Sequence, residues 1–244
     1  MIEEQRGQVQ FSNCPALRPS FPSSPLFPRA RGLTAPRVVD VLADMPDTTL
    51  WSIEASSAQG MLRVFEPTQA EILAAAAQLA VFNNDSHNAG MMTNTRELTA
   101  NDIVEFYQSL RAHGGHPFLL EQDGVLMGDA DFRNVLGSGA EFAIMVGARS
   151  EQNRGLGTRF AVMAHVAAWR VLRYQRVSAT IIPKNFASLR LVEKLGYLVD
   201  ESSYAASLRE SEDDIVMSID WHQFEQSHGE FLQQVVVTER NASP

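Results

Sequence analysis

A mixed α/β (α+β) sheet, twisted, mostly antiparallel and flanked by helices, is the fold class this sequence predicts. Three observations predict it. Apolar runs at 117–121 and 125–133 flank Gln122-Asp123-Gly124, and Asp-Gly between two such runs is a strong hairpin signal. A third run, Glu141–Val146, follows closely enough to add another antiparallel neighbour. After it, a helical stretch from about Thr158 to Arg173 leads to an apolar run at 177–182, a crossover that can join parallel strands. Hairpins plus one crossover give a mixed sheet and not a doubly wound one.

The elements follow in order. Residues 1–35 read as an irregular arm, because Pro15, Pro19, Pro22, Pro25 and Pro28 each fix φ and remove a backbone donor. A short helix is expected after Pro36, and residues 48–58 can supply an extra strand. The regular domain is expected to start with a strand at Met61–Phe65. Pro67 then opens a helix through Ile72 and Leu79. The polar stretch 83–90 reads as a long, ligand-meeting loop. Thr99 caps a helix holding Ile103, Phe106, Tyr107 and Leu110. After the three strands and the crossover comes a helix over 185–195, with Gly196 as its left-handed terminator. Strands at 197–199 and 214–220 complete the domain. The organisation expected is thus an arm and extension over 1–60, a domain over 61–220 and a C-terminal extension over 221–244.

Composition narrows the function classes. The chain has 244 residues, 45% hydrophobic and 20% charged, which suits a globular protein with a real core. Cys14 is the only cysteine, so an intrachain disulfide and a cysteine-built zinc site are excluded. No apolar run is long enough for a membrane span, and Met1-Ile2-Glu3-Glu4-Gln5 lacks a secretory start. A cytoplasmic location, without membrane partners, is expected. The net charge of −9 argues against nucleic acid. Its distribution says more. Residues 148–198 hold nine Lys or Arg against only Glu151 and Glu193, a balance of +7, which suggests a small polyanionic ligand.

That ligand has an obvious place. In Ile144–Thr158 a strand runs through a glycine-bearing loop into a helix, presenting free N–H groups at the positive end of the helix dipole. Gly155 and Gly157 permit close approach and φ > 0, with Arg149, Arg154 and Arg159 around them. A nucleotide P-loop is excluded because Gly157 is followed by Thr158-Arg159, not Lys-Ser/Thr. A dinucleotide fingerprint is excluded because Phe160 stands where a third small residue is needed.

What remains, Gln152-Asn153-Arg154-Gly155-Leu156-Gly157, matches Gln/Arg-x-x-Gly-x-Gly and resembles the pyrophosphate loop of the GNAT superfamily of acyl-CoA-dependent N-acetyltransferases. About thirty residues on, Asn185-Phe-Ala-Ser188 followed by Glu193-Lys194-Leu195-Gly196-Tyr197 looks like that superfamily's second signature. The Val-Gly opening and Gly-x-Gly-Thr ending look most like the branch with ribosomal-protein-alanine N-acetyltransferases. The resemblance covers roughly 61–220. It implies a splay between the fourth and fifth strands, with Met145, Val146 and Gly147 offering backbone groups to pantetheine. It also implies that Gln152, Asn153, Arg154, Gly155, Leu156, Gly157 and Thr158 hold the pyrophosphate of acetyl-CoA. Asn185 is either a plain helix N-cap or points to the cofactor, and Arg190 either reaches adenosine or is solvated.

The implied reaction is direct acetyl transfer to a primary amine in a ternary complex, with no metal. Many family members place a Tyr just before the Glu-Lys pair as acid for the departing thiolate; here that residue is Val192. Ser188 is the nearest replacement by motif, or else a capping-box partner or a packing residue. Glu141 matches an acidic position frequent in the branch, and Asp129 and Asp131 share one strand face; each is a candidate base or a solvated carboxylate. The histidines show no metal spacing, and His165 is expected on a helix surface. The resemblance implies that the loop between the last two strands borders the acceptor site. The acidic run Glu210, Glu212, Asp213 and Asp214 then either attracts a cationic small molecule or a basic protein N-terminus as acceptor, or is a solvated turn that aids solubility. The rival is a non-catalytic acyl-CoA-binding or regulatory module. Either a monomer or a homodimer is expected.

Overall fold

The computed structural model describes residues 49–57, 60–92, 96–152 and 154–240; the arm, Asn153 and the short helix expected after Pro36 lie outside them. Nine strands form one sheet: β1 Leu50–Ser57, β2 Gly60–Phe65, β3 His116–Gln122, β4 Val125–Leu136, β5 Gly139–Val146, β6 Arg176–Ile181, β7 Leu198–Val199, β8 Ile215–Asp220 and β9 Val235–Arg240. Their spatial order is β7-β8-β6-β5-β4-β3-β2-β1-β9. Every adjacent pair is antiparallel except β5 and β6, which are parallel. This is the mixed, largely antiparallel sheet that the hairpins and crossover predict. At the β3–β4 turn Asp123 and Gly124 both take positive φ (50° and 77°), as a two-residue type I′ hairpin requires.

The helices are α1 Gln69–Asn84, α2 Ser86–Met91, α3 Ala100–Ala112, α4 Leu156–Val166, α5 Phe186–Leu195, α6 Ser203–Leu208 and α7 Trp221–Leu232, with a π turn over Ala167–Val171 extending α4. Thr68, not Pro67, caps α1, through a reciprocal capping box with Glu71. One core lies between the sheet and α4, built from Phe132, Ala140, Phe142, Phe160, Met163, Val177, Leu195 and Phe224 among others. A second, smaller core packs Ile72, Leu79 and Phe82 of α1 and Ile103 and Tyr107 of α3 against Phe65 and Leu119.

Two expectations are corrected, and the extra strand expected within 48–58 is present as β1. The polar stretch 83–90 is helical, not a loop: α1 runs through Asn84, and Asp85 then caps α2 by accepting from the N–H groups of His87 and Asn88. Regular structure also extends past both ends of the segment 61–220. β1 pairs β2, and β9 pairs the other edge of β1 (Leu50 with Arg240 through Ala55 with Val235), while α7 buries Phe224 and Leu232. A capping box at Asp220 and Gln223 starts α7. Finally, His165 is not on a surface; it is fully buried. No helix among the described residues is long and apolar enough to cross a membrane.

Candidate active site

The fourth and fifth strands counted from Met61, β5 and β6, pair only over Gly139–Glu141 and Arg176–Ser178. β5 continues to Val146 and β6 to Ile181 without pairing each other, so their facing edges separate beyond Glu141 and Ser178. Five residues of β5 line this gap, about 16 Å of edge. At its open end stands the glycine loop.

Gly155 sits at φ +82°, ψ 0° as the residue before α4, with no side-chain cap, and a Cβ there would meet nothing within 4 Å. The first N–H groups of α4 therefore point outward without intrahelical partners. Gly157 departs from the expectation of φ > 0: its backbone is ordinary, and its need is space. A Cβ there would lie 3.3 Å from Leu191 Cδ1 and 3.5 Å from Val146 Cγ2. Leu156 is buried in the larger core, and Thr158 is half-buried in the first turn of α4.

The remaining loop side chains are already engaged. Arg154 is exposed and pairs with Glu151 at 2.9 Å, Arg149 pairs with Asp85 at 3.6 Å, and Arg176 pairs with Asp200 at 2.6 Å. Three of the nine basic residues of 148–198 are thus partly neutralised. Gln152 turns inward: its Nε2 donates to Val146 O (2.8 Å) and Asn88 Oδ1 (3.0 Å). Asn88, which sequence reasoning missed, is buried and donates through Nδ2 to Gly147 O (3.2 Å) and Phe82 O (2.9 Å). Gly147 N–H donates to Met127 O at 2.8 Å. Of the three strand-end residues, Gly147 has both backbone groups held by protein. Met145, in step with it along β5, turns its N–H and C=O toward Asp129 of β4, and Val146 O is taken by Gln152. The expected offer to pantetheine thus narrows to the Val146 N–H. Asn88 gave no sequence signal beyond its place in a polar stretch.

Across the gap, Asn185 caps α5, its Oδ1 accepting from Ser188 N–H at 3.0 Å while its Nδ2 donates to Met91 O at 3.3 Å. Ser188 is half-buried beside it. Arg190 is exposed and donates to Phe186 O at 3.3 Å. Val192 is buried, and Tyr197, the nearest tyrosine in sequence, is bonded to His165 deep in the core. On β6, Val177, Ala179 and Ile181 enter the larger core, so Ser178 and Thr180 face the other way. Thr180 Oγ1 is buried without a partner in the protein.

One sheet face beside the gap is charged. Asp129, Asp131 and Arg133 of β4 stand opposite Met145, Ala143 and Glu141 of β5, so all project to the side covered by α3. Glu141 accepts from Asn134 Nδ2 at 2.6 Å. Asp131 is buried and takes both Nε (2.6 Å) and Nη2 (2.5 Å) of Arg133. Asp129 accepts from Tyr107 Oη–H at 2.8 Å. Burial pushes the Asp129 carboxyl up to about 6; Tyr107's hydrogen bond opposes that and the Asp131 charge adds to it. On the β6 side, burial also opposes ionisation of Asp200. Hydrogen bonds from Ser218 and Ser202 and the charge of Arg176 overcome it and hold the carboxyl down at about 2. Among the described residues no group of three or more His, Cys, Asp or Glu is arranged for a metal.

Known proteins share this architecture. The model for an acetyltransferase (GNAT) domain matches residues 61–198. No curated protein matches the chain. Among solved structures, Mycobacterium smegmatis RimJ in complex with CoA-disulfide superposes with a TM-score of 0.61 at 18% identity, covering 78% of this chain and 97% of that one. The aminoglycoside acetyltransferase AAC(6')-Ib in complex with coenzyme A gives 0.58 at 17% identity, over 68% and 99%. A spermidine N-acetyltransferase SpeG chimera from Vibrio cholerae and hSSAT gives 0.54 at 14% identity, over 67% and 97%. At such identities the structures speak for the fold, while the family match spans more than half of the chain: this protein belongs to the GNAT acetyltransferase family.

Proposed function

We propose that the protein is an acetyl-CoA-dependent N-acetyltransferase that transfers acetyl directly to a primary amine in a ternary complex. The observation that carries this is the gap between β5 and β6, with an outward-pointing helix N-terminus at its mouth. Pantetheine would lie along the open edge beside Met145 and meet the Val146 N–H, the backbone group of the strand end that faces the gap. The pyrophosphate would meet the N–H groups of residues 155–158, with Gln152 shaping the loop and Arg154 adding charge; Asn153, outside the described residues, is kept as a contact by the resemblance alone. Asn185 and Arg190 would border the nucleotide side. Ser188 would donate a hydrogen bond toward the sulfur, whose thiolate is a fair leaving group with a pKa of about 8.5. Proton removal from the amine falls to the carboxylates of the β4–β5 face, Glu141 among them. The functional domain centres on 61–220. The rival, a non-catalytic acyl-CoA-binding module, predicts binding without turnover.

Acetyl-CoA incubated with a polyamine, an aminoglycoside and a basic alanine-initiated peptide, with free thiol as readout, separates the two. Thiol released with none of them would sink the enzyme reading. Arg154→Ala is expected to weaken acetyl-CoA binding about ten-fold by calorimetry, since a charge-assisted contact is worth about 1.5–3 kcal/mol and Glu151 competes for this one. Unchanged affinity would remove Arg154 from the site.

A cationic acceptor is favoured by the acidic turn before β8. There Glu210, Glu212 and Asp213 are exposed, whereas Asp214 is buried and accepts from the N–H groups of Glu210 (3.0 Å) and Ser211 (2.9 Å). Asp214 therefore holds the turn, and the steering charge rests on the other three. Replacing Glu210, Glu212 and Asp213 with Gln or Asn is expected to raise KM for a cationic amine several-fold at low salt, with the difference masked by added salt. An equal KM at low salt removes the steering role.

A further inference from the structure

The charged face holds three carboxylates, and their partners set them apart. Asp131 is locked in a two-point pair with Arg133. Glu141 stands at the last residue of β5 that still pairs β6, about 13 Å along the strand from Met145, and is engaged by Asn134. Asp129 has no salt-bridge partner of its own among the described residues; one oxygen takes the Tyr107 hydroxyl at 2.8 Å, and the residue as a whole is half-buried. It stands directly opposite Met145, within the stretch of β5 whose far edge is open.

We propose that Asp129 is the general base for the acceptor amine, with Tyr107 as the residue that positions it. This rests on the transfer reading above. The acceptor ammonium gives one proton to the Asp129 carboxylate. The freed lone pair forms the C–N bond at the thioester carbonyl, and the C–S bond breaks with its electron pair going to sulfur. The nitrogen's second proton leaves with the CoA thiol, and Asp129 returns its proton to water.

The surroundings suit the task. A base works best when its pKa lies near the working pH, and burial raises this carboxyl toward neutrality while Asp131 stays paired. The groups that act on it are Tyr107 from α3 and Asp131 and Arg133 from its own strand. β3 places the apolar Leu119 opposite it, and Glu71 of α1 is tied to Arg240. Tyr107 is itself raised well above the ordinary tyrosine value by burial and then by the Asp129 charge, so it remains a donor throughout.

Asp129→Asn tests the assignment without removing the hydrogen bond, because the amide oxygen still accepts from Tyr107. Expected is a fall in kcat of at least about 100-fold, with acetyl-CoA affinity by calorimetry within about two-fold of wild type. The acid limb of kcat/KM, near pH 6 in wild type, should vanish. Tyr107→Phe removes a bond that favours the ionised carboxylate, so it should move that limb to higher pH while KM for the amine stays. Glu141→Gln, at the competing carboxylate, should lose less kcat than Asp129→Asn and should keep the acid limb near pH 6. The assignment is overturned if Asp129→Asn keeps the wild-type kcat and limb, if Glu141→Gln matches its loss, or if Tyr107→Phe leaves the limb in place. A wild-type protein that binds acetyl-CoA but acetylates none of the three amines overturns the enzyme reading and this assignment together. A wild-type protein that turns over while Asp129→Asn is unimpaired overturns only the base.

Discussion

Gly157→Val is expected to reduce acetyl-CoA affinity by at least 100-fold, about 2.7 kcal/mol, while leaving a folded protein. The reason is geometric. A bare Cβ at this position already sits 3.3 Å from Leu191 Cδ1 and 3.5 Å from Val146 Cγ2, so alanine fits with a small adjustment. The two further methyl groups of valine do not. Overpacking of this kind costs about 1–3 kcal/mol, and the nearest relief is to push the first turn of α4 away from α5 and β5. That turn carries the N–H groups at the mouth of the gap, and Val146 is the strand residue that borders it. A displacement too small to unfold the domain therefore misaligns the anion site. Gly157→Ala serves as the graded control, with a loss of no more than a few-fold. Calorimetry with acetyl-CoA, alongside far-UV circular dichroism to confirm folding, decides the matter: a folded valine variant that binds within three-fold of wild type would show that the loop does not hold the cofactor.

The loop was legible because its signal is local. A strand pattern, closely spaced glycines and a helix start fall within fifteen consecutive residues. The β3–β4 hairpin was legible for the same reason, since Asp123 and Gly124 specify the turn themselves. What the sequence hid depends on partners far along the chain. The Val235–Val237 run becomes a strand because β1, more than 180 residues earlier, offers an edge. Asn88 reads as one more polar residue until Gly147 and Gln152 are seen to need an amide between them. Asp129 and Asp131 share a face by two-residue spacing, but only Arg133 and Tyr107 distinguish the locked carboxylate from the available one. His165 failed for a related reason. In Phe160–Trp169 nearly every side chain is apolar, and the one polar residue read as the solvent face of the helix. The structure buries the whole run, with no solvent face left for a histidine to occupy.

His165→Phe is expected to lower stability at pH 7 and, at the same time, to flatten its loss on acidification. Nδ1 lies 2.7 Å from Ala161 O, a group that only accepts, so Nδ1 carries the proton; Nε2 then accepts from Tyr197 Oη–H at 2.5 Å. Around the ring stand Phe142 (4.6 Å between centroids), Trp169 (5.2 Å) and a stacked Phe224 (5.5 Å). Phenylalanine fills most of this space but leaves the Tyr197 hydroxyl and the enclosed site without their bond, a cost of about 1–3 kcal/mol. The neutral ring is favoured in the fold because burial pushes its pKa down to about 3, with the Ala161 carbonyl opposing and His228 adding to the shift. In the unfolded chain the value returns to 6.5. Since the folded value is depressed, the unfolded state binds the proton first. The stabilisation is complete above pH 6.5 and drains away as pH falls toward 3, at up to about 1.4 kcal/mol per pH unit. Most carboxylates join the titration only below about pH 4.5; Asp129, raised to about 6, titrates inside the window from 6.5 to 4.5 in both proteins, so the difference between the two curves there reports His165. His228, also lowered by burial, is present in both proteins and cancels in the comparison. Urea unfolding at half-unit pH steps should show the wild-type and variant curves converging on acidification, with about one proton fewer taken up per variant molecule. Parallel curves across that window would mean that His165 is not held neutral in the core.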